Sequence, residues 1–266
     1  MEISLSAPIA EGRTAEVYEW NNGRVLKLYR DWCPPYWVEH EARVAHAVTA
    51  AGIPSPAVGE IVEVNHRRGL IYERVTGISM LQDINMHPWT IFKHARRLAE
   101  LQVKINQSSI SGLQLTKEGL IHTIGRAPHL DDELRARVLK FLITLVDGEK
   151  VCHGDFHPGN VLLTEKGAVV IDWMTANSGN PWADVARTSM LLTIGAKNAG
   201  KQVKPIVRLF ISLYHQVYLK RYLSLIPDGG NELKKWMPVI AAARLDEKID
   251  GEQDALLGMV RTGLVE

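Results

Sequence analysis

The sequence is short of the features that would place it among disulfide-bonded, membrane-spanning or polyanion-binding proteins. It has two cysteines in 266 residues, Cys33 and Cys152. They lie far apart and match neither a CxxC nor a zinc-ribbon spacing. A disulfide scaffold is therefore excluded, both thiols read as buried spectators, and the protein reads as one of a reducing compartment. No stretch approaches the roughly 18 uninterrupted apolar residues that span a bilayer. The opening MEISLSAPIAEG has neither the basic nor the apolar region of a secretory signal, so a cytoplasmic location without a membrane partner is expected. A large charge of either sign is also missing: 31 Lys+Arg face 30 Asp+Glu, a formal net charge of +1, so no overall field favours nucleic acid. Aromatics make up only 7%, and what remains, 46% hydrophobic and 23% charged, is an ordinary globular composition. Such a chain has core enough for one large domain or two smaller parts and points to a small partner.

From Ile3 to about Glu73 the pattern is strand-like with one helical interruption. Ala15–Trp20 and Arg24–Tyr29 flank Asn22-Gly23, a strong short hairpin signal. Tyr36 to Ala51 carries Val38, Ala42, Ala45 and Val48 on one helical stripe. Gly52, Pro54 and Pro56 stop it. Val58–Val64 and Leu70–Tyr72 read as two more strands around a turn at Arg67-Arg68-Gly69. After residue 75 long helices take over: roughly His87–Gln107, Thr116–Arg126, Asp131–Val146, Trp182–Ile194, Val203–Ile226 and two shorter ones after Asn231. The expected division is therefore 1–75 and 76–266. No internal repeat or low-complexity segment occurs.

One strand-rich island interrupts the helical half: VCHGDFHPGNVLLTEKGAVVIDW, residues 151–173. Asp155 and Asn160 lie five residues apart, a short hairpin around Glu165-Lys166-Gly167 follows, and Asp172 closes its second strand. That order matches the phosphoryl-transfer arrangement in which one aspartate faces the acceptor hydroxyl while an asparagine and a later aspartate hold magnesium. Carboxylate and amide oxygens are hard donors suited to that ion. HGDFHPGN followed by VVIDW resembles the aminoglycoside phosphotransferase and choline kinase superfamily, over about residues 10 to 190. The resemblance implies an α+β, protein-kinase-like fold: a small N-terminal lobe with a five-stranded antiparallel sheet and one helix, and a larger, mostly helical C-terminal lobe.

It also implies a nucleotide clamp in the first lobe. Ala10 to Val17 keeps Gly12 and Val17 of the kinase glycine-loop pattern, with alanines at the other glycine places. Lys27 alternates with Leu26 and Leu28, so it faces away from both and suits the phosphate-pairing lysine. Glu41 sits on the apolar stripe of the following helix and is the expected partner of Lys27; Glu39, far round the helix, is the alternative. Glu73 and Val75 are the expected backbone contacts to the base. Asp184, in NPWADVAR, and His153 are expected to support the catalytic loop. The implied activity is ATP-dependent phosphorylation of a hydroxyl on a small acceptor, with Asp155 catalytic, Asn160 and Asp172 on magnesium, and GTP as an alternative donor. Trp173-Met174 in place of Phe-Gly, with no A-P-E segment after it, argues against protein substrates.

Other readings stand beside this one. His153, Asp155 and His157 have an HxDxH spacing that a metal-dependent hydrolase could use. The imperfect glycine loop would suit a nucleotide-binding regulatory pseudokinase. Phe210, Tyr214, Tyr218 and Tyr222 recur every four residues, as a box for a quaternary ammonium or as ordinary helix packing. Asp246, Glu247, Asp250, Glu252 and Asp254 form an acidic cluster that could meet a cationic acceptor. In the plainer reading Asp250, Glu252 and Asp254 are cap and first-turn charges. The acceptor's identity, the role of His157 and the oligomeric state are open at this level.

Overall fold

The computed structural model describes residues 5–195, 204–227 and 229–264; the expected strand-like start at Ile3 and helix start at Val203 lie outside them. The chain divides into two compact units. One runs through Gln82 and takes in Gly159–Met174; the other comprises Asp83–Pro158 and the residues from Thr175 onward.

The first unit is built on an antiparallel sheet of β1 (Ala10–Glu11), β2 (Ala15–Trp20), β3 (Arg24–Tyr29), β4 (Val58–Val64) and β5 (Arg67–Glu73), in the order β1-β2-β3-β5-β4. Asn22 and Gly23 both take positive φ, 59° and 68°, as the tight hairpin between β2 and β3 requires. The helix α1 (Pro35–Ala50) packs its Val38 and Ala42 against Ala15, Tyr29 and Leu70 on one face of the sheet. Tyr18, Leu26, Leu28, Val64 and Ile71 form a second core on the other face. Lys27, between two buried leucines, is thereby turned toward the α1 side.

The β4–β5 turn differs from expectation. It falls at Asn65-His66, both at positive φ (50° and 64°), and β5 begins at Arg67. Gly69 lies inside the strand opposite Leu28 and Val62. A Cβ there would come within 2.6 Å of Leu26 Cδ1, so this glycine serves close packing rather than turning. The hairpin Val161–Thr164 and Gly167–Val170, with Ile78–Ser79 added at its edge, forms a three-stranded sheet of the same unit. The Val170 N–H donates to Pro54 O at 2.8 Å.

The second unit is mainly helical. Ile91–Gln107 packs against Pro205–Leu225, and Pro181–Met190 packs against Gly230–Arg244, which also meets Gln253–Gly263. The helix expected from His87 starts at Ile91, behind a short turn at Pro88–Thr90. Asp131 caps Asp132–Thr144, its carboxylate accepting the Leu134 N–H at 2.7 Å. A two-stranded ladder joins Lys150–Cys152 to Asn177–Gly179. The aromatic stripe is packing over its three tyrosines, Tyr214, Tyr218 and Tyr222, which are buried, whereas Phe210 is exposed. The hydroxyls of Tyr218 and Tyr222 donate to Gln102 Oε1 and Asn106 Oδ1.

Candidate active site

In the first unit, Lys27 Nζ donates to both carboxylate oxygens of Glu41, at 2.8 and 2.9 Å, and to Asp172 Oδ1 at 2.9 Å. Glu41 is 1% exposed, so its charge needs full compensation. Lys27 supplies part of it, and two tyrosines supply more: Tyr72 donates its hydroxyl to Oε1 at 2.8 Å and Tyr29 donates to Oε2. Burial disfavours the Lys27 ammonium, yet the Glu41 and Asp172 carboxylates outweigh it and hold its pKa well above the usual lysine value. Burial and the Glu41 charge push both tyrosine hydroxyls upward. Glu39 instead takes Arg68 Nη1 at 2.7 Å on the exposed side of α1.

Asp172 adopts a left-handed φ of 64°, a strained setting for a non-glycine residue. Its neighbour Ile171 donates its N–H to Asn160 O at 3.0 Å, which ties the asparagine backbone to the strand end that bears Asp172. The side chain of Asp172 is 45% exposed even though one of its oxygens meets Lys27. A carboxylate and an amide oxygen on adjoining backbone fit a magnesium ion, a hard cation with a preference for oxygen. Among the described residues no group of three or more His, Cys, Asp and Glu side chains is set to hold a metal ion.

Gly12 lies in the tight link between β1 and β2, its N–H donating to Ala15 O at 2.8 Å. A Cβ at Gly12 would meet only Ala15 O, at an ordinary 3.5 Å, so the fold itself does not demand glycine there. At the end of β5 the Glu73 N–H is taken by Ala57 O at 2.8 Å, and Val75 follows in the connection to Ile78–Ser79.

In the second unit, His153 is fully buried and stacked at a tilt on Phe156, 5.6 Å between ring centres. Its Nδ1 accepts the Asp155 N–H at 3.2 Å, and its carbonyl accepts the Thr175 hydroxyl at 2.9 Å. Gly154 takes φ 78°, and a Cβ there would come 2.6 Å from Thr175 O, so only glycine fits. Asp184, buried, accepts the Gly154 N–H at 2.8 Å on Oδ1, while Oδ2 accepts Gln102 at 3.0 Å and Asn106 at 3.1 Å. Asp155 Oδ2 lies 3.7 Å from His157 Nε2, and Oδ1 lies 4.0 Å from Arg187 Nη2. Burial pushes the Asp155 carboxyl up, but the neighbouring His157 imidazole and the charges of Arg187 and His153 outweigh it and hold the pKa at about 2. The group is an anion at any physiological pH.

Three contributors escaped sequence reading: Tyr29, Tyr72 and Arg187. Tyr29 could have been found, because it lies two residues after Lys27 and so on the same face of β3. Arg187 lies three residues after Asp184, one helical turn along. The acidic cluster follows expectation at Asp254, which lies in the first turn of Gln253–Gly263, and differs elsewhere. Asp246 meets Arg126 at 2.7 Å, and Glu247 meets Arg187 and Arg244. Glu252 stands at the start of Gln253–Gly263 but makes no side-chain cap there. Its carboxylate turns inward to Arg244, because a bidentate buried ion pair outcompetes a solvent-exposed cap.

The first unit thus sets a lysine ammonium between two carboxylates, with the Asn160 backbone tied to the strand end that bears Asp172. The model of the phosphotransferase enzyme family matches residues 7–217, and the chain belongs to that family. Its class is that of the phosphotransferases. No curated protein matches the sequence at a significant level. Among solved structures, a thermostable mutant of aminoglycoside phosphotransferase APH(4)-Ia is similar with a TM-score of 0.65 and 19% identity, covering 98% of this chain and 94% of that one. A choline/ethanolamine kinase family protein from Mesorhizobium loti has a TM-score of 0.59 and 15% identity, covering 96% and 86%. Amicoumacin kinase hAmiN, solved with AMP-PNP, Ca2+ and Ami, has a TM-score of 0.62 and 13% identity, covering 97% and 87%. These likenesses establish the protein-kinase-like fold. Among the described residues no helix is long and apolar enough to cross a membrane.

Proposed function

We propose that this protein is an ATP-dependent small-molecule kinase that moves the γ-phosphoryl group of ATP to a hydroxyl of a small acceptor. The observation that carries the reading is the Lys27 ammonium, bonded at once to Glu41 and Asp172. So fixed, it pairs with the α- and β-phosphates, while the Gly12 turn lets backbone N–H groups approach them. The backbone around Glu73 and Val75 meets the base, ATP being the expected donor and GTP the alternative. Asn160 and Asp172 would hold magnesium, whose bound charge offsets that of the phosphates. Asp155, kept ionised, orients the acceptor hydroxyl and accepts its proton as the oxygen bonds to the γ-phosphorus and the bond to the ADP oxygen breaks. His153 and Asp184 support the loop that carries Asp155.

The solved relatives act on or bind varied small molecules, hygromycin B and streptomycin among them. For this chain the arginine pairing of Asp246, Glu247 and Glu252 leaves those carboxylates little surplus charge for a polycation. That supports an acceptor with a single ammonium or none, such as an amino alcohol or a simple amino sugar, over a heavily charged aminoglycoside. The test is a magnesium–ATP phosphorylation screen against amino sugars, amino alcohols, sugar alcohols and antibiotics, with Asp155→Ala as control. An acceptor hit that disappears in the control is expected. Asp155→Ala retaining most of the turnover would overturn the assignment, and nucleotide binding without any turnover would favour a regulatory, nucleotide-binding protein.

A further inference from the structure

The helix Pro181–Met190 grips Gly154 by both polar groups of its backbone. Asp184 accepts the N–H, and three residues later Arg187 Nε donates to the carbonyl at 3.1 Å. The guanidinium of Arg187 divides its nitrogens among three tasks: Nε on Gly154 O, Nη2 facing Asp155 Oδ1, and Nη1 donating to Glu247 Oε1. Glu247 is itself held, since its Oε2 accepts Arg244 Nη1 at 3.1 Å. Arg244 is anchored in turn by Glu252, through Nε at 2.6 Å and Nη2 at 2.8 Å. Both members of this last pair are almost fully buried, with side chains 3% and 2% exposed. Lys248, at a left-handed φ of 54°, turns the chain between them so that Glu252 folds back onto Arg244.

We propose that Glu247 is a positioning residue for the catalytic loop, acting through Arg187 to hold Gly154 and Asp155 in the geometry that transfer requires. The proposal rests on the reading of Asp155 given above. A guanidinium anchored at only one end swings, and a long side chain loses rotamer freedom cheaply only when both ends are fixed. Glu247 supplies the second anchor and also offsets the Arg187 charge, so that the arginine orients Asp155 without neutralising it. Residues 244–252 lie beyond the 7–217 matched by the family model, so this brace is built by the chain's own C-terminal turn.

The experiment compares the full-length protein with Glu247→Gln, which keeps shape and removes charge, and Glu247→Asp, which keeps charge and shortens reach. Asp246→Asn, on the same turn but paired outward to Arg126, serves as a control. Hydrogen–deuterium exchange of the peptide spanning 153–158 is read first, because it needs neither acceptor nor turnover. Loss of one charge-assisted bond is expected to speed exchange there about tenfold in Glu247→Gln. Steady-state magnesium–ATP turnover follows, with water as acceptor if no other is at hand. Glu247→Gln is expected to lower kcat about tenfold or more with the ATP KM within about twofold, and Glu247→Asp to recover part of the loss. A folded Glu247→Gln with unchanged exchange at 153–158, or with kcat as in the parent while Asp155→Ala is inactive, would overturn the proposal. If Asp155→Ala is itself fully active, the assignment of Asp155 has failed instead.

Discussion

Replacing Glu41 by glutamine tests the centre of the first unit with almost no change of volume. The carboxylate it removes accepts two bonds from Lys27 and one each from Tyr29 and Tyr72, at a position 1% exposed. Removing one partner of a buried ion pair costs about 3–5 kcal/mol. Lys27 keeps Asp172 at 2.9 Å, and the amide can still accept or donate one bond to each tyrosine, so the lower end, about 3 kcal/mol, applies here. For a chain of this size each kcal/mol moves Tm by roughly 2–4 °C, so calorimetry should show a fall of roughly 6–12 °C. The effect has a definite pH dependence. The folded pKa of Lys27 is raised, so its contribution is complete below the unfolded lysine value of about 10.4 and is lost as pH rises beyond it. The raised hydroxyls of Tyr29 and Tyr72 likewise favour the folded state less in alkali, from about pH 10 upward. The gap between parent and Glu41→Gln should therefore be full at neutral pH and narrow above about pH 10. A Tm change under about 2 °C at pH 7, or a gap that widens in alkali, would refute the account of a buried, mutually dependent lysine–glutamate pair.

Two further outcomes follow from particular atoms. Gly12→Ala should leave Tm within about 2 °C, because its Cβ meets nothing closer than 3.5 Å, yet raise the ATP KM several-fold; an unchanged KM would remove Gly12 from the nucleotide site. Asp155, held at about 2, stabilises the fold above its unfolded carboxyl value of about 3.9 and loses that contribution as pH falls toward 2. Urea denaturation from pH 7 to pH 2 should accordingly show a shallower acid decline in Asp155→Asn than in the parent, and identical slopes would count against the His157 and Arg187 fields.

Local chemistry was legible wherever the structure follows neighbours in sequence. Asn22-Gly23 has only one good use between two alternating strands, and the stripe on α1 singled out Glu41 over Glu39 because an apolar face must turn inward. The β4–β5 turn was misplaced because Asn65 and His66 accept a left-handed backbone as well as a glycine does there, while Gly69 answers a packing need set by Leu26 across the sheet. Glu252 looked like a cap because its destiny depends on Arg244, eight residues back and buried. Arg187 and Glu247, 60 residues apart, meet only through the packing of their helices, which no local pattern encodes.

The first unit is discontinuous in the chain, and this bears on how it is made. Its sheet and α1 emerge early from the ribosome, but Gly159–Met174 come only after a long stretch that belongs to the other unit. Until then the Lys27 ammonium lacks Asp172, 145 residues downstream, and Pro54 lacks the Val170 amide. A nascent chain stalled before residue 159 would thus present a half-finished unit to chaperones, with Lys27 tethered only to Glu41. The closing of the hairpin onto that unit is a late, long-range event of the kind that slows folding, and it gives Lys27 its second carboxylate in the same stroke.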